Sequence, residues 1–276
     1  MFVIQLVQNM KKLLLTALFF LCCTVLNAEE NVLLFKPYTA GIFEPRIGSV
    51  INLTDDNLRL DIGASFDLFR DSTSSNFIWG FGGDFFTYTR LRSENNFKFP
   101  VETSDYYFGV NSSTKFKIGE ADFASRLRIA HISSHLVDGF SKDGIFIQEP
   151  FVYSREFFDI SFAYLNNTDL LDYRVFLGAI YVFSTQPDNL NKFIPYFGLD
   201  INKKFTDFME LSCGMDLRSG ENNMNNLSAQ LGLNFKFFKD FGIFVGYYKY
   251  YGNSMHGMFY DEKDNYDGIG FQIIYF

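Results

Sequence analysis

Phe123 to Val137 reads FASRLRIAHISSHLV, and the fold turns on how this stretch is divided. In an extended strand successive side chains point to opposite faces. The odd positions are then Phe123, Ser125, Leu127, Ile129, His131, Ser133, His135 and Val137, and the even ones carry Arg126 and Arg128. Arg at the midplane of a lipid-facing wall costs roughly 2–4 kcal/mol, so the two arginines are expected to turn inward. That leaves the row His131, Ser133, His135 looking outward.

The same alternation recurs along the chain. Leu58, Leu60, Ile62, Ala64, Phe66 and Leu68 oppose Arg59, Asp61, Gly63, Ser65 and Asp67. Met209 to Arg218, Leu227 to Phe237 and Tyr173 to Phe183 alternate in the same way. Further strand candidates are Arg46–Leu53, Phe77–Leu91, Tyr106–Ile118, Ile145–Arg155, Asp159–Asn166, Pro195–Lys203, Phe241–Tyr251 and Tyr266–Phe276. Several are about ten residues long, the length a tilted membrane strand needs. The chain holds 36 Phe and 16 Tyr but one Trp, with 19% aromatic residues. So aromatic a composition on alternating strands predicts an all-β, antiparallel transmembrane barrel of about twelve strands, within a range of ten to fourteen.

Lys11 and Lys12 precede the apolar run Leu13 to Leu26, and Ala28 stands before the acidic Glu29-Glu30. Residues 1–28 therefore read as a cleaved signal peptide and 29–276 as the barrel. The run is shorter than the ~20 residues a spanning helix needs. A lipoprotein cut at Cys22 or Cys23 is disfavoured by the large Leu21 before Cys22. Past Ala28 only Cys213 remains, which excludes an internal disulfide. The net charge of −8 argues against nucleic acid as a partner. The partners expected are membrane lipids and the barrel-assembly machinery, with the oligomeric state left open. The terminal Phe276 closes an apolar strand, the kind of ending by which outer-membrane barrels are recognised for insertion.

Residues two apart on a strand lie about 6.5–7 Å apart at Cα, so an imidazole can reach the hydroxyl of Ser133. His131 is the candidate general base and Ser133 the nucleophile for attack on an ester carbonyl. Glu149 is the favoured third group, brought beside His131 if the Asp138–Gly144 turn closes a hairpin, with Gln148 the other choice. An alternative set is His135 with Ser134, Asp138 and Gln148. No metal site is predicted, because His131 and His135 sit roughly 13 Å apart along a strand. No cofactor is predicted either, with calcium left open. Arg126 and Arg128, with Arg59, Asp61, Asp67, Glu210, Asp216 and Arg218, are expected to pair across a filled lumen.

His131 and Ser133 resemble the His-x-Ser pair of the outer-membrane phospholipase A and lipid A deacylase families. In those families the pair sits on the outer wall of a barrel, and the motif continues with Asn where this chain has Ser134 and His135. A broader resemblance runs through Phe43-Glu44-Pro45-Arg46, then Arg126 to Leu136, then Tyr250 to Tyr260. These segments look like a family of exported bacterial proteins of unknown function, with His-x-Ser-Ser-His-Leu and a late Gly-x-Ser-x-x-Gly-x-Phe-Tyr segment. The latter offers Ser254 and His256 as further site residues. The expectation is an outer-membrane acyl-ester hydrolase acting on phospholipid or lipid A. The alternative is a non-catalytic barrel serving as a channel, structural or adhesive protein.

Overall fold

The computed structural model describes residues 33–276 apart from 75, 95, 221–223, 239–240 and 276. The expected signal peptide and the terminal Phe276 lie outside the described residues. Twelve strands close into one antiparallel barrel. In chain order they are β1 (Ile47–Asn52), β2 (Asn57–Ser74), β3 (Phe77–Arg92), β4 (Val101–Ile118) and β5 (Ala121–Leu136). A small hairpin follows, β6 (Ser141–Lys142) with β7 (Ile145–Phe146), outside the barrel sheet. The wall resumes with β8 (Tyr153–Asn167), β9 (Leu171–Gln186), β10 (Phe193–Lys204) and β11 (Met209–Ser219). It ends with β12 (Asn225–Phe238), β13 (Phe241–Asn253) and β14 (Lys263–Tyr275), which pairs with β1.

Two expected boundaries are corrected. Ile145–Arg155 is not one strand, because the β6–β7 hairpin and an irregular stretch occupy the residues before Tyr153. Asp159–Asn166 is not a separate strand but part of β8, which runs through Phe157, buried in the lumen, and Phe158, exposed outside.

The alternation sorts side chains as lipid outside and a packed interior require. Ile62, Phe66, Leu177, Phe197 and Leu231 are exposed on the outer wall. The inside mixes charge with a large aromatic filling: Phe86, Tyr107, Phe157, Phe176, Tyr196, Phe244 and Tyr248 are all buried there. One rim has short connections, with Gly119-Glu120 joining β4 to β5 and 168–170 joining β8 to β9. Aromatic pairs line it, Phe116–Phe123, Phe123–Tyr164 and Tyr164–Tyr173, as at a membrane interface. The opposite rim carries the long connections 93–100, 137–152 and 254–262. In outer-membrane barrels the longer loops are the external ones.

Before β1 the chain runs inside the barrel. Leu34, Phe35, Tyr38, Ala40 and Ile42 are buried, and wall residues hold this segment along its length. Arg174 donates to the carbonyls of Lys36 and Pro37 at 2.6 and 2.8 Å, and Thr39 N–H donates to Asp200 at 3.2 Å. Tyr38 stacks on Phe176 with ring centroids 3.6 Å apart. On β11 the wall approaches so closely that a Cβ at Gly214 would lie 2.6 Å from Thr39 Cβ. At the head of the segment Glu44 accepts from Arg126, whose Nη1 lies 3.0 Å away, and from Arg128 at 3.4 Å. Arg128 also pairs with Asp159.

Arg126 has Glu44 as its carboxylate partner, and both are buried. Removing one member of a buried ion pair typically costs about 3–5 kcal/mol. Glu44→Ala is therefore expected to lower barrel stability by about that amount. The check is urea unfolding of the detergent-solubilised protein, in which Glu44→Gln should lose less.

Candidate active site on the outer wall

β5 divides as its alternation requires. Arg126 and Arg128 are buried in the lumen, while the His131, Ser133 and His135 row lies on the outer face. Ser133 is three residues from the strand end at the long-loop rim, about 10 Å along the strand. The row thus sits towards that rim and not at mid-wall.

Register with β8 supplies the third group. His131 stands directly opposite Glu156, and His131 Nδ1 lies 2.8 Å from Glu156 Oε1. The two side chains are 41% and 30% exposed, so this contact is on the outer surface. With Nδ1–H donating to the carboxylate, Nε2 becomes the nitrogen free to accept a proton. Ser133 faces Ser154 on β8 and Tyr106 on β4. Among the described residues no hydrogen bond joins Ser133 Oγ to His131. The β8–β9 register shifts between Glu156 and Phe157. Such bulges open local space in a sheet and re-aim side chains. Here Phe183 and Ser184 are both exposed as a result.

Glu149 does not hold the place expected of it. It is exposed in the 147–152 stretch, with the β6–β7 hairpin interposed between it and the end of β5. Glu149→Ala is expected to leave any His131-dependent activity within about twofold, measured beside Glu156→Ala, which should not. The other expected residues are dispersed. His135 is outward with its ring 5.9 Å from Tyr106, whereas Ser134 points inward and accepts from Met258 N–H at 3.1 Å. Gln148 Nε2 donates to the Met258 carbonyl at 3.2 Å, and Asp138 begins the short turn Asp138–Phe140. Ser254 and His256 fold into the mouth of the barrel, away from the outer row. His256 Nδ1 lies 2.8 Å from Asp105, which also accepts from Gly257 N–H at 2.8 Å.

The wall beside the row is polar on one side and apolar on the other. Beside Glu156 a shallow hollow is lined by Ser154, Ser184, Gln186, Asp188 and Lys192. On the rim-distal side Phe108, Ile129, Phe158 and Ile160 are exposed and apolar. A lipid whose tails lay on this apolar surface would present its head-group region to His131, Ser133 and the hollow. No group of three or more His, Cys, Asp or Glu placed to hold a metal ion occurs among the described residues.

A family model described as a protein of unknown function, DUF1207, matches residues 80–275. The chain belongs to this family. No curated protein matches it. Among solved structures it is similar to the outer membrane phospholipase A from Escherichia coli, at 15% identity and a TM-score of 0.50, covering 91% of this chain and 96% of that one. The Salmonella typhi outer membrane phospholipase, solved as a dimer with bound calcium, matches at 13% identity and a TM-score of 0.54 over the same shares. The transport unit of the autotransporter AIDA-I from Escherichia coli matches at 10% identity and a TM-score of 0.46, over 83% and 88%. At these identities the likeness is one of fold: a DUF1207 chain built as a closed antiparallel β-barrel of the outer-membrane type.

Proposed function

We propose that this DUF1207 protein is an outer-membrane acyl-ester hydrolase acting on a membrane phospholipid or on lipid A. Ser133 is the nucleophile, His131 the base and Glu156 the group that orients it. The observation that carries the reading is the 2.8 Å contact from His131 Nδ1 to Glu156 on a wall otherwise facing lipid. A carboxylate on Nδ1 fixes the tautomer with Nε2 unprotonated and stabilises the imidazolium that forms when the serine proton arrives. Ser133 Oγ then attacks the ester carbonyl, His131 returns the proton to the departing alcohol, and water releases the fatty acid from the acyl-serine. Catalytic hydrogen bonds often tighten only with substrate bound, which is consistent with the Ser133–His131 bond being unmade here.

No cofactor is assigned to this reaction, and calcium is left open. The same proposal includes cleavage of residues 1–28 on export and insertion by the barrel-assembly machinery. A non-catalytic, lipid-contacting barrel is the second reading, favoured by the absence of a Ser133–His131 hydrogen bond among the described residues. The test is release of fatty acid from phospholipid and lipid A micelles by the purified protein. Release by the wild type and none by Ser133→Ala is expected; equal release by both would remove the hydrolase reading.

A further inference from the structure

The segment 254–262 between β13 and β14 folds back into the external mouth, with Met255, Met258 and Phe259 buried. Its close seating needs Gly257, where a Cβ would lie 2.3 Å from the Tyr153 ring and 2.7 Å from Ser134 Cβ. Between this segment, the β1–β2 turn and the start of β14 lies a cavity of about 200 Å3. That is room for roughly six or seven waters at ~30 Å3 each. Its wall includes Arg59, Arg90, Ser254, His256, Glu262 and Asp264.

The hydrogen bonds around this cavity leave a particular set of groups uncommitted. Arg59 is spent on Asp61 and Tyr266, each at 3.0 Å. The His256 side chain is 4% exposed and its Nδ1 is taken by Asp105. Among the described residues its Nε2 has no partner. Arg90 contacts Glu102 through Nε at 2.9 Å and packs over the Phe259 ring, and its terminal nitrogens make no hydrogen bond among the described residues. The carboxylates of Glu262 and Asp264 likewise make none there. The His256 ring and the Arg90 guanidinium therefore face the same small space as the Glu262 and Asp264 carboxylates, with Lys263 and with Asp55, which accepts from Asn57 N–H at 3.0 Å, also on its wall. Each sign alone is disfavoured as a ligand. A simple anion meets Glu262 and Asp264, a simple cation meets Arg90 and Arg59, and no three metal-ligating groups converge. A molecule with both charges satisfies both sets, because opposite charges each find a partner in a partly desolvated site.

We propose that this cavity binds a small zwitterion of amino-acid size, its carboxylate on Arg90 and His256 and its ammonium on Glu262 and Asp264. The site is separate from the outer row and stands or falls independently of hydrolase activity. The experiment is isothermal titration calorimetry of the detergent-solubilised full chain with L-alanine, acetate, methylammonium and calcium chloride. Saturable binding of L-alanine is expected, at least about tenfold tighter than acetate or methylammonium. Asp264→Asn and Arg90→Gln should each weaken it by at least about tenfold while the heat-modifiable gel shift of the folded barrel is retained. No saturable heat with L-alanine, acetate binding as tightly, or a response to calcium alone would each overturn the proposal. So would unchanged L-alanine affinity in both variants.

Discussion

Ser133→Ala is expected to lower fatty-acid release by at least about a thousandfold, since loss of a nucleophile leaves only what binding and local electrostatics contribute. His131→Ala should fall to a similar floor, and the double variant no further, because members of one catalytic unit are not additive. Glu156 separates a catalytic role from a merely polar one. Its 2.8 Å partner is Nδ1 of His131. A charge-assisted hydrogen bond is stronger than a neutral one, and each 1.36 kcal/mol is worth about tenfold in rate. Glu156→Gln keeps an acceptor and should cost about ten- to a hundredfold, chiefly in kcat, whereas Glu156→Ala should approach the His131→Ala floor. All three side chains sit on the outer face away from the lumen packing, so the heat-modifiable gel shift should be unchanged. A Glu156→Ala enzyme as fast as wild type would mean that the carboxylate only solvates the wall.

The second large effect concerns the lumen. The wild-type barrel should be electrically silent in planar bilayers, because 33–46 fills the space that Phe86, Tyr107, Phe176 and Tyr248 leave. Deleting 33–43 removes the Tyr38 stack on Phe176 and the backbone acceptors of Arg174. Water should then enter beside Arg174 and Asp200, and discrete conductance steps should appear. A milder variant, Phe35→Ala with Tyr38→Ala, keeps Glu44 and its ion pairs in place and should give smaller or intermittent openings. Silence in both folded variants would mean that the wall's own aromatic side chains close the barrel.

Much of this was legible in the chain because lipid imposes a strict period. Arg126 and Arg128 on one parity force His131 and Ser133 onto the other, and the structure places them so. The closed twelve-strand barrel follows from alternating segments of membrane length. Glu156 and not Glu149 meets His131, for a physical reason. Register across a long connection is not set by alternation, and the β6–β7 hairpin absorbs the residues that a tight turn would have spent on pairing. The signal that could have found Glu156 lies in β8 itself. Its outward positions run Ser154, Glu156, Phe158, Ile160, Phe162, and one acid heading an apolar row on a lipid-facing wall needs a partner. The lumen segment was harder to see. Residues 33–46 have no period of their own, and their partners, Arg174, Asp200 and Arg126, are scattered over three strands.

Covalent labelling tests the account most directly. The detergent-solubilised protein is incubated with a long-chain alkyl fluorophosphonate and digested, and every adducted peptide is sequenced by mass spectrometry. One phosphonyl adduct on Ser133 is predicted, formed far more slowly in His131→Ala and Glu156→Ala. An unlabelled protein, or an adduct on Ser134, Ser154 or Ser254 that ignores both substitutions, would contradict it.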